Sequence, residues 1–361
     1  MTGIKRLLSL DVLRGITVCG MILVNNAGAC GFGYAPLRHV RWDGFTPADL
    51  VFPMFMFLMG ISTYISLRKY NFEFKAAVGK ILKRALILIA IGIVMKWVLA
   101  GISTGIWNDW DHLRIMGVMQ RLGICYGITA LLAVSLPHKY FTPGAVLLLG
   151  IYWELQLFGN GFEKSPENIV AIVDAAVLGT GHMYLEGRQF VDPEGVLSTI
   201  PAVAQVMLGF VCGKMLMTEK DNGKRLLNLF VAGTVMLFAG FLLSYGCPLN
   251  KRLWSPSFVL VTSGIASLLF ALMLKIIDVD GHKKWCGFFQ VFGVNPLFLY
   301  VVSEIIGDLL RHFDVNTFVF DTALQPMLGD YPGSLMYAIL FLFLLWLVGY
   351  ALYKRKIFIK I

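Results

Sequence analysis

Leu37-Arg38-His39-Val40-Arg41-Trp42-Asp43-Gly44-Phe45-Thr46-Pro47-Ala48-Asp49-Leu50-Val51-Phe52-Pro53-Met54-Phe55-Met56-Phe57-Leu58-Met59-Gly60 sets a histidine, two arginines and two carboxylates directly against a long apolar run. Ionisable groups beside hydrocarbon cost free energy unless they pair or line a cavity, so the segment is read as a functional site at the mouth of a membrane helix.

Working outward, the rest of the chain supplies the setting. Of its 361 residues 57% are hydrophobic and mean hydropathy is +0.72. Only 15% are charged, against the ~25% usual for soluble domains. A helix needs ~20 apolar residues to cross the hydrocarbon core. Such stretches lie near 8–26, 48–67, 81–100, 115–136, 141–158, 197–217, 226–245, 257–276, 286–309 and 335–353. The spacing predicts an all-α, polytopic transmembrane bundle of about ten helices. Residues 1–361 read as a single membrane domain.

The net charge of +9 follows topology rather than nucleic acid. Twenty Lys and Arg fall on one set of alternate connections and nine on the other, the latter including Arg38, Arg41, Lys96 and Arg114. By the positive-inside rule both termini are cytoplasmic and the opening motif faces outward. The first apolar stretch carries Asp11 and Arg14 and reads as a retained helix, not a cleaved leader. Residues 159–196 form one long outward-facing loop with an acidic surface (Glu163, Glu167, Asp174, Glu186, Asp192, Glu194). Loops of that length are usually functional or disordered. The six cysteines show no metal-ligand spacing, and no metal is expected. Cys30 and Cys247 both fall on the outward side, where a disulfide could join them.

Thr46-Pro47-Ala48-Asp49 reads as a helix start, with threonine at the N-cap, proline at the first position and a carboxylate three residues on. Asp49 thus has a capping role available beside a chemical one. Pro53 cannot donate to the carbonyl of Asp49 and should kink the helix. Histidine is the side chain type whose ordinary ionisation suits proton transfer at neutral pH, so His39 is a candidate base, or is simply an interfacial loop histidine. Asn25 and Asn26, at the end of the first span, offer amide donors for a developing oxyanion, or merely end a helix.

Arg114 and Arg121 fall seven residues apart, ~10 Å of helical rise, with Gln120 beside Arg121. The deeper Arg121 needs a partner, for which Asp11, Asp49, Glu304 and Asp308 are candidates, or else it clamps a ligand. Gly293-Val294-Asn295-Pro296 breaks the ninth stretch, as in the discontinuous helices of transporters. Lys5, Arg6, Lys75, Lys80, Lys83 and Arg84 form a cytoplasmic collar, explained by topology or by a phosphate-rich ligand.

Ser9-Leu-Asp11-Val-Leu-Arg14-Gly15, Val24-Asn25, His39, Trp42 to Pro53, Arg114 to Arg121 and the Gly293/Asn295 helix together resemble the heparan-α-glucosaminide N-acetyltransferase family, in order and over almost the whole chain. The resemblance implies transfer of acetyl from cytosolic acetyl-CoA, a cosubstrate, to an amino sugar of the glucosamine type across the membrane. It implies His39 as the catalytic group supported by Asn25, with Asp49 or Asp43 orienting the imidazole. The acceptor is then expected at Trp42, Asp43, Gln120, Arg121, Asn295 and Glu304, and acetyl-CoA at Asp11, Arg14, Lys83 and Arg84. It also implies a homodimer in contact with membrane lipid. The chain is expected to lack the large lumenal domain that precedes the first span in lysosomal members. The expectation is therefore a multi-pass enzyme of the bacterial inner membrane, its active site toward the outer face, using a smaller amino sugar or cell-wall fragment. The reading from another class is a transporter or flippase for an amino sugar or polar lipid, with Arg121, Glu304 and Asn295 lining its path. A non-catalytic membrane subunit is the third.

Overall fold

Three polar-proline pairs, Thr46-Pro47, Ser255-Pro256 and Asn295-Pro296, mark helix starts, because proline at the first position gives up an N–H that has no helical partner anyway. In the computed structural model, which describes residues 7–28, 32–184 and 192–359, a helix begins at each of these prolines. The elements are α1 (Leu8–Asn25), α2 (Pro47–Leu67), α3 (Phe74–Thr104), α4 (Val118–Ser135), α5 (Phe141–Phe158), α6 (Ile169–Leu178), α7 (Thr199–Thr218), α8 (Asn222–Leu243), α9 (Pro256–Met273), α10 (Cys286–Val294), α11 (Pro296–His312), α12 (Val315–Val319), α13 (Gln325–Leu328) and α14 (Asp330–Lys354). Among the described residues nine helices are long and apolar enough to span a membrane; α10 and α11, bent by 83° at their junction, form a broken span or a re-entrant loop.

The chain divides into two compact units, one of Met1–His39, Thr46–Phe55 and Leu269–Ile361, the other of Val40–Phe45 and Met56–Leu268. In the first, α1 lies against α10 through two glycines. A Cβ on Gly15 would stand 1.9 Å from the carbonyl oxygen of Phe289, and one on Gly293 would stand 1.8 Å from that of Asp11. Small residues let helix backbones approach this closely where no hydrophobic force drives helices together in lipid. At the α10–α11 bend Asn295 is buried and works with both ends of its amide: it donates to Ile357 O at 3.0 Å and accepts from Ile359 N at 2.8 Å. The break expected in the ninth stretch is therefore also the point that holds the carboxy-terminal tail.

In the second unit α2 and α7 meet in the same fashion, with a Cβ on Gly60 falling 2.2 Å from Val206 O and one on Gly209 falling 2.1 Å from Phe57 O. The helix α2 runs from Pro47 through Pro53 to Leu67 as one element. The stretch expected to span 115–136 begins at Val118, so Arg114 precedes the helix. The 159–196 segment is not loop throughout: Asn168 accepts from Val170 N at 2.9 Å and starts the apolar ten-residue α6. Cys247 is buried; Cys30, Lys5, Arg6 and Glu186 lie outside the described residues.

Candidate active site

Helix α2 begins where its sequence says, and its first turn builds the site. Asp49 accepts the backbone N–H of Thr46 through Oδ2 at 3.1 Å, half of a capping box. The Thr46 hydroxyl lies 3.1 Å from the same oxygen and 2.8 Å from Arg38 O, tying the preceding loop to the cap. The other carboxylate oxygen, Oδ1, is 2.7 Å from Nδ1 of His39. Asp49 is 1% exposed, whereas the His39 side chain is 41% exposed. An ionised carboxylate only accepts, so in this pair Nδ1 is the donating ring nitrogen and Nε2 is the other.

His39 lines a cavity of about 260 Å³ between the end of α1, the 32–39 segment and the start of α14, with Val24, Ala27, Phe32, Tyr34, Arg38 and Ser334 among its walls. The α14 wall was not anticipated; the small pair Gly333-Ser334 in the last span was its only sequence signal. Asn25, between Val24 and Ala27, is exposed and donates through Nδ2 to Glu304 Oε1 at 3.0 Å, which joins two expected site residues across α1 and α11. Asn26 is buried, donating to Ile22 O at 3.0 Å, its Oδ1 seated on Gly307.

Several of the remaining expected residues have partners of their own, while Nε2 of Gln120 and Nε and Nη1 of Arg121 are buried without a hydrogen bond among the described residues. Trp42 Nε1 donates to Phe162 O at 2.9 Å, and Asp43 Oδ1 accepts from Asn250 Nδ2 at 3.1 Å, both within the second unit. Arg121 is fully buried; its Nη2 donates to Gly195 O at 2.9 Å and to the Ser198 hydroxyl, and the guanidinium lies 5.0 Å from the Trp254 ring. These neutral partners replace the carboxylates proposed for it. Gln120 is buried with Oε1 against Gly92 of α3. Arg14 Nη1 is 3.5 Å from Asp11 Oδ1, Lys83 is exposed, and Arg84 lies 4.5 Å over the Tyr126 ring.

The loop acids are not all surface charge. Arg114 grips Asp192 with Nε at 3.0 Å and Nη2 at 2.6 Å, and Nη2 also reaches Glu194 at 2.6 Å. Burial works against its charge, but Glu194 and Asp192 outweigh burial and hold the Arg114 guanidinium above its ordinary range. Burial likewise opposes the Glu194 carboxylate, yet Arg114 and Arg121 keep it below the usual value. Asp174 is buried too, and desolvation pushes its carboxyl up to about 6 despite the Leu197 and Val196 N–H groups that favour the ion.

With this geometry in hand, comparison with known proteins is direct. Residues 6–245 match the family model for the catalytic region of heparan-alpha-glucosaminide N-acetyltransferase. The chain is similar to the proteins of that name from Mus musculus and Homo sapiens, 30% identical to each over 99% of its own length and 61% and 60% of theirs. It thus spans about three fifths of the curated relatives it matches. An uncharacterized 39.9 kDa protein from the amylase 3' region of Bacillus acidopullulyticus is 24% identical over 70% of this chain and 73% of its own. A family match over two thirds of the chain, covering α1 through α8 with His39 and Asp49 inside it, leads to one conclusion: the chain belongs to the heparan-alpha-glucosaminide N-acetyltransferase catalytic family.

Proposed function

We propose that this multi-pass membrane protein is an N-acetyltransferase that moves acetyl from acetyl-CoA to the amine of a glucosamine-type amino sugar. The observation that carries the reading is the His39–Asp49 pair at a cavity wall, the imidazole held at Nδ1 so that Nε2 is the basic atom. In the proposed step the acceptor ammonium first loses one proton to solvent, the neutral amine attacks the thioester carbonyl as Nε2 takes its second proton, and the tetrahedral adduct collapses with that proton passed to the departing CoA thiolate. A positioned general base contributes roughly 10²- to 10⁴-fold. Asn25, fixed through one N–H by Glu304, has a second amide hydrogen for the oxyanion. Family names support the acyl chemistry, since the mouse and human relatives are named for acetyl transfer to glucosaminide.

The same residues serve a route through acetyl-His39, in which Nε2 attacks the thioester first. We place the acceptor outside a bacterial inner membrane, with both termini cytoplasmic, from the distribution of Lys and Arg. The exposed Lys83 and the half-buried Arg84 belong to the basic collar proposed to dock CoA phosphates. The test is an acetyl-CoA assay on purified protein against a panel of amino sugars, with products read by mass. Acetylated sugar and free CoA are expected. A protein that moves the sugar unchanged and releases no CoA is a transporter. Acetylated protein trapped without acceptor, and absent in His39→Ala, selects the covalent route.

A further inference from the structure

The connection between α3 and α4 carries Ile106-Trp107-Asn108-Asp109-Trp110-Asp111-His112, and every residue from Ser103 to His112 is exposed. Trp107 is 49% and Trp110 55% exposed. Large apolar side chains clustered in the open mark a binding surface or a membrane contact.

These indoles are held, not dangling. Gly105 ends α3 in the left-handed region at φ 74° and turns the chain back. The Trp107 ring then lies over Gly101, where a Cβ would come within 2.5 Å of it, and Trp97 Nε1 donates to Trp107 O at 2.8 Å. Trp97 and Trp110 stack with centroids 5.9 Å apart and planes 5° apart, and Trp107 meets Trp97 edge-on at 5.5 Å. The far end is pinned as well, His182 Nδ1 to Leu113 O at 2.9 Å and Ile115 N to His182 O at 3.1 Å. Rigid aromatic side chains give large contact area at low entropic cost.

Charge selects the occupant. No Lys or Arg occurs between Lys96 and Arg114, while Asp109 and Asp111 flank Trp110; Asp109 Oδ1 lies 2.7 Å from Nδ1 of His112, so the two carboxylates outweigh the one imidazole of the loop. Carboxylates beside an indole face repulsion from anionic lipid and attract a cationic ligand. A cation over an indole is attracted by the ring face, and tryptophan is the best such ring. The loop also falls in the outward set of connections, with Arg114.

We propose that Trp107 and Trp110, with Asp109 and Asp111, form a docking platform for a glycan chain bearing free amines, an acceptor subsite additional to His39. It rests on the amino-sugar reading above. Sugar C–H faces pack on the indoles while ammonium groups meet the carboxylates. Acetylation removes that charge, so the platform holds substrate in preference to product.

The experiment measures binding of a glucosamine tetramer, and of its fully N-acetylated counterpart, to the full chain in detergent by calorimetry without acetyl-CoA. Trp107→Ala/Trp110→Ala is expected to weaken the tetramer about 10-fold, and Asp109→Asn/Asp111→Asn to bring it down to the affinity of the acetylated form. Trp110→Ala alone serves where the double variant does not fold. Unchanged affinity in the tryptophan variants, or equal binding of both tetramers to the parent protein, overturns the platform. Loss of binding to phosphatidylglycerol vesicles with tetramer affinity intact overturns it in favour of a membrane anchor. A parent protein that binds the tetramer through these indoles yet acetylates no amino sugar leaves the platform standing and removes the transferase reading. Acetylation with tetramer binding indifferent to the variants does the reverse.

Discussion

Asp49 holds His39 with one carboxylate oxygen, Oδ1 to Nδ1 at 2.7 Å, and the first turn of α2 with the other, Oδ2 to Thr46 N at 3.1 Å. Capping and imidazole orientation are one residue's work, divided by atom.

That division separates two variants. Asp49→Asn can place its amide N–H toward Nδ1 and favour the wrong tautomer, so acetyl transfer should fall by a factor on the order of 10² or more, approaching that of His39→Ala. Thr46→Ala removes the hydroxyl contacts to Asp49 and to Arg38 O but leaves the Thr46 N–H on Asp49, costing about 1 kcal/mol of stability with a far smaller loss of kcat than Asp49→Asn. CoA release and thermal unfolding in detergent read the two effects. Full activity in well-folded Asp49→Asn would remove Asp49 from the site.

The Asn25–Glu304 bond at 3.0 Å gives a second split. Glu304→Gln keeps an acceptor for Asn25 and should preserve kcat. Glu304→Ala leaves the amide without it and should lower kcat roughly 5-fold, in line with a lost net hydrogen bond of ~1 kcal/mol. Steady-state kinetics on an amino-sugar acceptor decide, and equal kcat in the two variants would sink the positioning role.

Asp174 makes stability depend on pH with a definite sign. Its folded pKa of about 6 lies above the ordinary value of 3.8, so the folded protein binds the extra proton between those limits. Its contribution is complete below pH ~4 and is lost as pH rises through about 6. Glu194, held below its usual value, acts in the opposite direction at lower pH. Comparing wild type with Asp174→Asn cancels the other groups. The variant's melting temperature should gain on the wild type from pH 4 to 7, and parallel curves would refute the assignment.

Asn295 spends both ends of its amide on the tail. Asn295→Ala should therefore raise hydrogen exchange and proteolysis at 355–359, and lower stability by roughly 1–3 kcal/mol for the buried groups left unpaired. Unchanged protection there would mean that the tail is held by packing alone.

Much of this was readable from residues. Thr46-Pro47 gave a helix start, Thr46-x-x-Asp49 its cap, Asn295-Pro296 a helix break and the apolar runs the spans, because each depends on neighbours in sequence. Partners of Arg114 and Arg121 were not readable. Asp192, Glu194, Gly195 and Ser198 lie more than seventy positions away, and a charge in a loop carries no mark of facing inward. Nor did Asp49 declare which oxygen did what, since only geometry divides a carboxylate. Asn295 was expected to meet a ligand; a buried amide at a helix break suits a backbone clamp equally well, and composition cannot choose between them.

The paired glycines of α1 and α10 set a limit on movement. Each backbone rests on the other's carbonyl, at Gly15 against Phe289 and Gly293 against Asp11. A slide by one residue would present Arg14 or Ile16, Phe292 or Val294, to a gap with no room for any side chain. This pair behaves as a latch with one notch, so it travels as a single body. Whatever admits substrate to the His39 cavity must then be supplied by its other walls, the 32–39 segment and the start of α14.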